Sequence, residues 1–136
     1  AASDVYKRQT SNINSKSISK SGGAAIYRGV LNIGKNAEHA KATVSCESLM
    51  LDEISQSDTI PSISIENDNV DLGHEAKIGR ISDEAIFYLM TRGISEEEAR
   101  AMLVRGFVEP ISKELPLEYA VEMNNLISLE LEGSIG

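Results

Sequence analysis

From residue 24 to about residue 80 the chain runs through short apolar stretches, "AIYRGVLNIG", "ATVSCESLML", "PSISIEN" and "DLGHEAKIG", separated by the polar segments "KNAEH", "DEISQSD" and "NDN". Within each stretch apolar and polar residues tend to alternate, which sends successive side chains to opposite faces of an extended backbone. Four strands of about 4 to 9 residues, bounded by turn residues, are the natural reading. Their even spacing, with no helical pattern between them, points to a sandwich or to a solenoid of stacked strands. No strict repeat motif is visible to choose between the two.

The period changes at Ser82. In "SDEAIFYLMTRG" Ser82 is a candidate N-cap and Gly93 a candidate stop, with Ile86, Phe87, Leu89 and Met90 forming a broad apolar face. "SEEEARAMLVRGF" opens on a capping box, Ser95 with Glu98, and Ala99, Met102, Leu103 and Phe107 recur at helical spacing. A third helix follows Pro116, with Leu117, Ala120, Met123, Ile127 and Leu131 on one side. Three short helices cannot bury all of these side chains against one another. The surplus is expected to face the strand region or a partner.

Residues 1–22, "AASDVYKRQTSNINSKSISKSG", are rich in Ser, Lys and Asn and carry almost no periodic apolar residues. Such a composition does not offset the entropy of ordering by itself, so this segment reads as a disordered or non-native leader. The expected organisation is therefore leader 1–22, strand region 23–81 and helical region 82–136.

The full 136 residues carry a formal charge of -8, with a pI near 4.7. That balance disfavours non-specific binding to nucleic acid or to an anionic membrane, both of which need clustered Lys and Arg. Proteins or cations are the expected partners. A chain of this length can bury roughly 65 to 70% of its unfolded surface, enough for a modest core. No apolar run approaches the roughly 18 residues of a membrane span, and the first residues lack the apolar stretch of a secretory signal. A soluble, intracellular protein is expected, cytoplasmic, or in the plastid stroma if the source is eukaryotic.

The chemistry-bearing residues are few. Cys46 is the single cysteine, so neither an internal disulfide nor a paired-cysteine metal knuckle can form within the chain. On a strand, Cys46 shares a face with Val44, while Thr43, Ser45 and Glu47 share the other. It reads as a small buried residue, or as a soft ligand or sulfur acceptor. In "DLGHEAKIG" His74 falls on the face of Ala76 and Ile78, and Glu75 on that of Gly73 and Lys77. Adjacent residues cannot both address one metal without a bulge or a second surface, so the ordinary readings are an interior histidine and a solvated carboxylate. His39, in "KNAEHAK", reads as surface. Glu96, Glu97 and Glu98 suit a helix N-terminus. No P-loop, GxSxG or HExxH motif is present to support catalysis.

The stretches "YRGVLNIGKNA", "CESLMLDEISQSDTIPSISI" and "VDLGHEAKIGRISDEAIFYLMTRGISEEEARAMLVRGFVEP" with its continuation to Gly136 closely resemble the C-terminal part of the SufB/SufD family, scaffold subunits of the SUF iron-sulfur cluster assembly machinery. The resemblance covers residues from about 15 to 136, and "AASDVYKRQ" stands outside it. It implies a mainly β plus α fold: the end of a right-handed parallel β-helix followed by a small helical C-terminal domain.

It also implies roles. Cys46 matches a family cysteine, and His74 and Glu75 match a His-Glu pair, proposed to receive sulfur or to ligate a transient iron-sulfur cluster. Carrying both Cys46 and Glu75 favours the SufB side of the family, since SufD-type members usually lack them. The helical tail implies docking of the ATPase SufC, with Phe87, Met90, Met102, Leu103 and Phe107 as its apolar contacts. SufD, sulfur donors and acceptor apoproteins are the further partners implied, and a flavin is left open. The expected function is a non-enzymatic assembly scaffold. Two other readings stand beside it: a SufD-like subunit that recruits the ATPase without ligating iron, and an independent enzyme with a cation site at Glu75.

Overall fold

The computed structural model describes residues 8–131. Five parallel-paired strands are followed by three helices, which confirms the mainly β plus α class. The chain divides into two compact units, one reaching to Arg80 and one beginning at Ile81.

In the first unit the strands are β1 (Thr10–Ser19), β2 (Ala24–Ile33), β3 (Lys41–Met50), β4 (Gln56–Ile65) and β5 (Asp71–Arg80). They do not pair with their neighbours in sequence. β1, β3 and β5 form one sheet in that order and β2 and β4 form another, every pairing parallel. Thr10 aligns with Lys41 and Lys41 with Asp71, offsets of 31 and 30 residues, and Ala24 aligns with Gln56 at an offset of 32. The chain alternates between two open sheets and advances one strand position per circuit of about 31 residues. This is the connectivity that a stacked-strand solenoid needs.

The turns stack with the same offset. At the first turn Asp52 Oδ1 accepts the N–H groups of Ile54 (3.0 Å) and Ser55 (2.7 Å), its Oδ2 accepts the N–H of Ser21, and Ser55 Oγ accepts the N–H of Gly22 at 3.2 Å. At the second turn the His39 N–H donates to the Asn69 carbonyl at 2.7 Å, and Asn67 Nδ2 donates to the Lys35 carbonyl at 3.0 Å. Each turn thus satisfies main-chain groups of the turn one circuit earlier, which fixes the register of the strands that leave it.

Alternation along the strands sorts the faces. β3, flanked on both sides, buries Ala42, Val44, Cys46 and Ser48, and turns Lys41, Thr43, Ser45 and Glu47 outward. Ile13, Tyr27, Leu31, Val44, Pro61 and Ile63 line a small cavity between the two sheets. A Cβ at Gly29 would meet the Tyr27 ring at 2.6 to 2.9 Å, so glycine there lets the tyrosine lie along its own strand. Pro61 is tolerated because β4 pairs on one side only among the described residues, leaving no ladder bond to lose on the other.

Two sequence expectations are corrected here. The leader read across residues 1–22 contains β1, a ten-residue strand paired along its whole length with β3. Its order comes from that pairing, from the Lys16 Nζ to Glu47 Oε2 ion pair at 2.7 Å, and from the Ser17 to Ser48 hydroxyl hydrogen bond at 2.7 Å. These partners lie 31 residues away, so local composition could not reveal them. Residues 1–7 of that reading lie outside the described residues. Strand β4 begins at Gln56, inside the segment read as a connector, because the turn anchored on Asp52 closes by Ser55.

In the second unit the helices are α1 (Asp83–Met90), α2 (Glu96–Ser112) and α3 (Leu117–Leu131). Ser82 Oγ accepts the Ala85 N–H at 3.1 Å, and Ser95 Oγ accepts the Glu98 N–H at 3.2 Å, so both predicted caps form. Gly93, at φ +86°, takes the left-handed conformation that ends α1. Helix α2 runs past Phe107 to Ser112 and contains Pro110 in its last turns, where the missing N–H costs a single intrahelical bond. The expected stripe on α2 is displaced: Ala99, Ala101 and Val104 are buried and Met102 is exposed. Both α1 and α3 pack against α2, which therefore buries more than one stripe. Among the described residues no helix is long and apolar enough to cross a membrane.

Candidate functional site

Cys46 occupies the middle of the central strand, and only 2% of its surface is exposed. Burial pushes its thiol above the ordinary value, because an apolar surround disfavours the thiolate. Parallel in-register pairing sets Cys46 beside Ser15 on β1 and beside Ala76 on β5. All three lie on the interior face.

His74 aligns with Val44, two residues before Cys46 along β3, so it points to the same interior face on the adjacent strand. One strand spacing sideways and two residues along give a Cα separation of about 8 Å. Thiol and imidazole can converge across that gap on a metal bound at about 2.0 to 2.3 Å to each. His74 is exposed because β5 has a strand on one side only among the described residues. The pairing thus brings a buried thiol and an accessible imidazole to one face.

Glu75 is not brought to that face. It aligns with Ser45 on the outer surface, and its Oε1 lies 3.1 Å from Lys77 Nζ, with both side chains more than half exposed. No bulge turns Glu75 inward: the register from Asp71 to Arg80 is unbroken, and a Cβ at Gly73 would meet nothing closer than Thr43 Cγ2 at 3.8 Å. The three residues expected to share a cluster therefore divide into an inward pair and an outward carboxylate. Among the described residues no group of three or more His, Cys, Asp or Glu side chains is placed to hold a metal ion.

His39 takes a left-handed backbone conformation at φ 59°, and its Nε2 lies 3.4 Å from Asn69 Nδ2. It belongs to the second turn and not to the Cys46 face. Sequence reading missed Ser15, Ser17 and Ser48, the hydroxyls around Cys46. A 31-residue offset applied to the sequence would have found Ser15 and Ser17, since it sets them against Cys46 and Ser48.

In the helical unit Phe87, Met90 and Met102 are 69%, 43% and 42% exposed, while Leu103 and Phe107 are half-buried. Leu117, on the apolar side of α3, and Tyr119 are as open as Phe87, at 76% and 68%. Apolar surface is thus distributed over all three helices.

Alternating parallel strands with a buried thiol on the middle strand, followed by a unit of capped helices, define a β plus α protein built on two parallel sheets. The family model for the SUF system FeS cluster assembly SufBD core domain matches residues 4–107, and the chain belongs to that family. The match begins inside the segment that the sequence resemblance left out. Over 127 residues, 93% of its length, the chain is 58% identical to the iron-sulfur cluster assembly protein SufB of Bacillus subtilis and to SufBD family proteins of Staphylococcus haemolyticus and Staphylococcus epidermidis. It spans 27% of the length of each of these relatives.

Proposed function

We propose that this chain forms the sulfur-accepting end of a scaffold on which iron-sulfur clusters are assembled and passed to acceptor proteins. The observation that supports this most directly is the placement of the only thiol, Cys46, and of His74 on one face of adjacent strands in a member of this family. The Cys46 thiolate would attack the outer sulfur of a donor persulfide. The donor's S–S bond breaks, the donor leaves as a thiol, and Cys46 carries the sulfane sulfur. A two-electron reductant supplied from outside the chain then cleaves the S–S bond on Cys46, returning the Cys46 thiolate and releasing sulfide. Iron reaches the sulfide from the side of β5 that carries no strand among the described residues, where His74 supplies a nitrogen ligand. Two ligands leave a cluster incompletely held, which suits a scaffold that must release its cargo. Remaining ligands would come from a SufD-type partner.

The helical unit docks the ATPase SufC through the exposed side chains of Phe87, Met90 and Met102 and the half-buried ones of Leu103 and Phe107. ATP hydrolysis belongs to that partner, and the chain itself is not an enzyme. Cys46→Ala in the full-length protein, complexed with its partners, tests the central role: loading of sulfane sulfur and cluster at this end should vanish while the fold persists. Normal loading by the variant would overturn the reading.

The outward position of Glu75 and the two-residue inward set favour one alternative, a SufD-like subunit that recruits the ATPase without ligating iron. Cluster retention after anaerobic reconstitution with the partner subunit separates the two.

A further inference from the structure

The surroundings of Cys46 are asymmetric. Toward β5 its in-register neighbour is Ala76, which offers no donor, and along its own strand Val44 is apolar. Toward β1 its in-register neighbour is Ser15, and the next interior positions are Ser17 and Ser48, whose hydroxyls are hydrogen-bonded to each other at 2.7 Å. Among the described residues the Ser15 hydroxyl has no hydrogen-bond partner. In-register strands place the two Cα atoms about 4.8 Å apart with both side chains on the same face. A serine hydroxyl rotates freely, so it can aim its proton at a sulfur carried by Cys46. A sulfur anion held in a buried, low-dielectric position needs such a donor, and a hydrogen bond to a charged acceptor is stronger than one between neutral groups.

We propose that Ser15 is a positioning residue for sulfur transfer, its hydroxyl donating a hydrogen bond to the anionic sulfane sulfur on Cys46 from the side opposite His74. The inference rests on the reading of Cys46 as the sulfur acceptor and adds the group that retains the sulfur once it has arrived. Sulfur enters between a hydroxyl on one strand and an imidazole on the other. The Ser17–Ser48 pair, at the next interior position along the strands, keeps its own hydrogen bond.

The test uses the full-length protein loaded with a low-molecular-weight alkyl persulfide, which gives its outer sulfur to the Cys46 thiolate and leaves as a thiol. After the donor is removed, intact-protein mass spectrometry follows how long the extra sulfur stays. Ser15→Ala should shorten that lifetime about tenfold, the low end of what one hydrogen bond to a charged group supports. Its melting temperature should not change, because the hydroxyl bonds nothing in the resting fold. Ser15→Thr, which keeps the hydroxyl, should restore the lifetime. An unchanged lifetime in Ser15→Ala overturns the inference, and so does a shortened lifetime that Ser15→Thr fails to restore. Equal loading of Cys46→Ala and the native protein would overturn the assignment of Cys46 instead, a separate outcome.

Discussion

If face separation on β5 governs the chemistry, Glu75→Gln and His74→Ala must differ sharply in cluster binding. Glu75→Gln keeps the side-chain shape and removes the charge. Its structural role is an ion pair with Lys77 at 3.1 Å in which the two side chains are 59% and 64% exposed. Solvent screening at such exposure limits the pair to about 0 to 1 kcal/mol, so the melting temperature should shift by a few degrees at most. The carboxylate points away from Cys46, and cluster retention should fall by less than about threefold, below 1 kcal/mol at 1.36 kcal/mol per tenfold. His74→Ala removes a nitrogen from the inward face. With only two inward ligands, retention should fall at least about tenfold, since losing even a supporting group around a metal costs about 10- to 100-fold. The assay is anaerobic reconstitution of the full-length protein with its partners, followed by visible absorbance and by iron and sulfide analysis after gel filtration. Equal losses in the two variants would refute the argument from strand faces.

The thiol supplies a pH prediction. Burial raises the folded-state value of Cys46 above the unfolded one, so above about pH 8.5 the unfolded chain loses its proton first and stability falls as pH rises. Alkylation of Cys46 should accordingly show its midpoint above about pH 8.5, and a midpoint below that value would contradict the burial. For the helical unit, Met90→Asp places a charge on an exposed apolar side chain and should weaken SufC pull-down more than it lowers the melting temperature. Unchanged capture by Met90→Asp and by Leu103→Asp would remove these residues from the docking surface.

Period and punctuation in the sequence were enough to place the change from strands to helices near Ser82, the caps at Ser82 and Ser95, the stop at Gly93 and the inward-outward alternation around Cys46 and His74. Those features depend on residues within a few positions of one another, where the helical period of 3.6, the strand period of 2 and the side-chain caps operate. The alternation already separated His74 from Glu75, and the regular register of β5 kept them apart. What only the tertiary structure decided is which strand lies beside which. Parallel pairing at an offset of 31 residues made a strand of the Ser-rich segment Thr10–Ser19, extended β4 back to Gln56, and set Ser15 and Ala76 on either side of Cys46. The burial of Ala99, Ala101 and Val104 in place of a simple α2 stripe depended likewise on helices packing from two sides. Main-chain hydrogen bonds between distant segments are blind to side-chain composition, so no local pattern in the chain announces them.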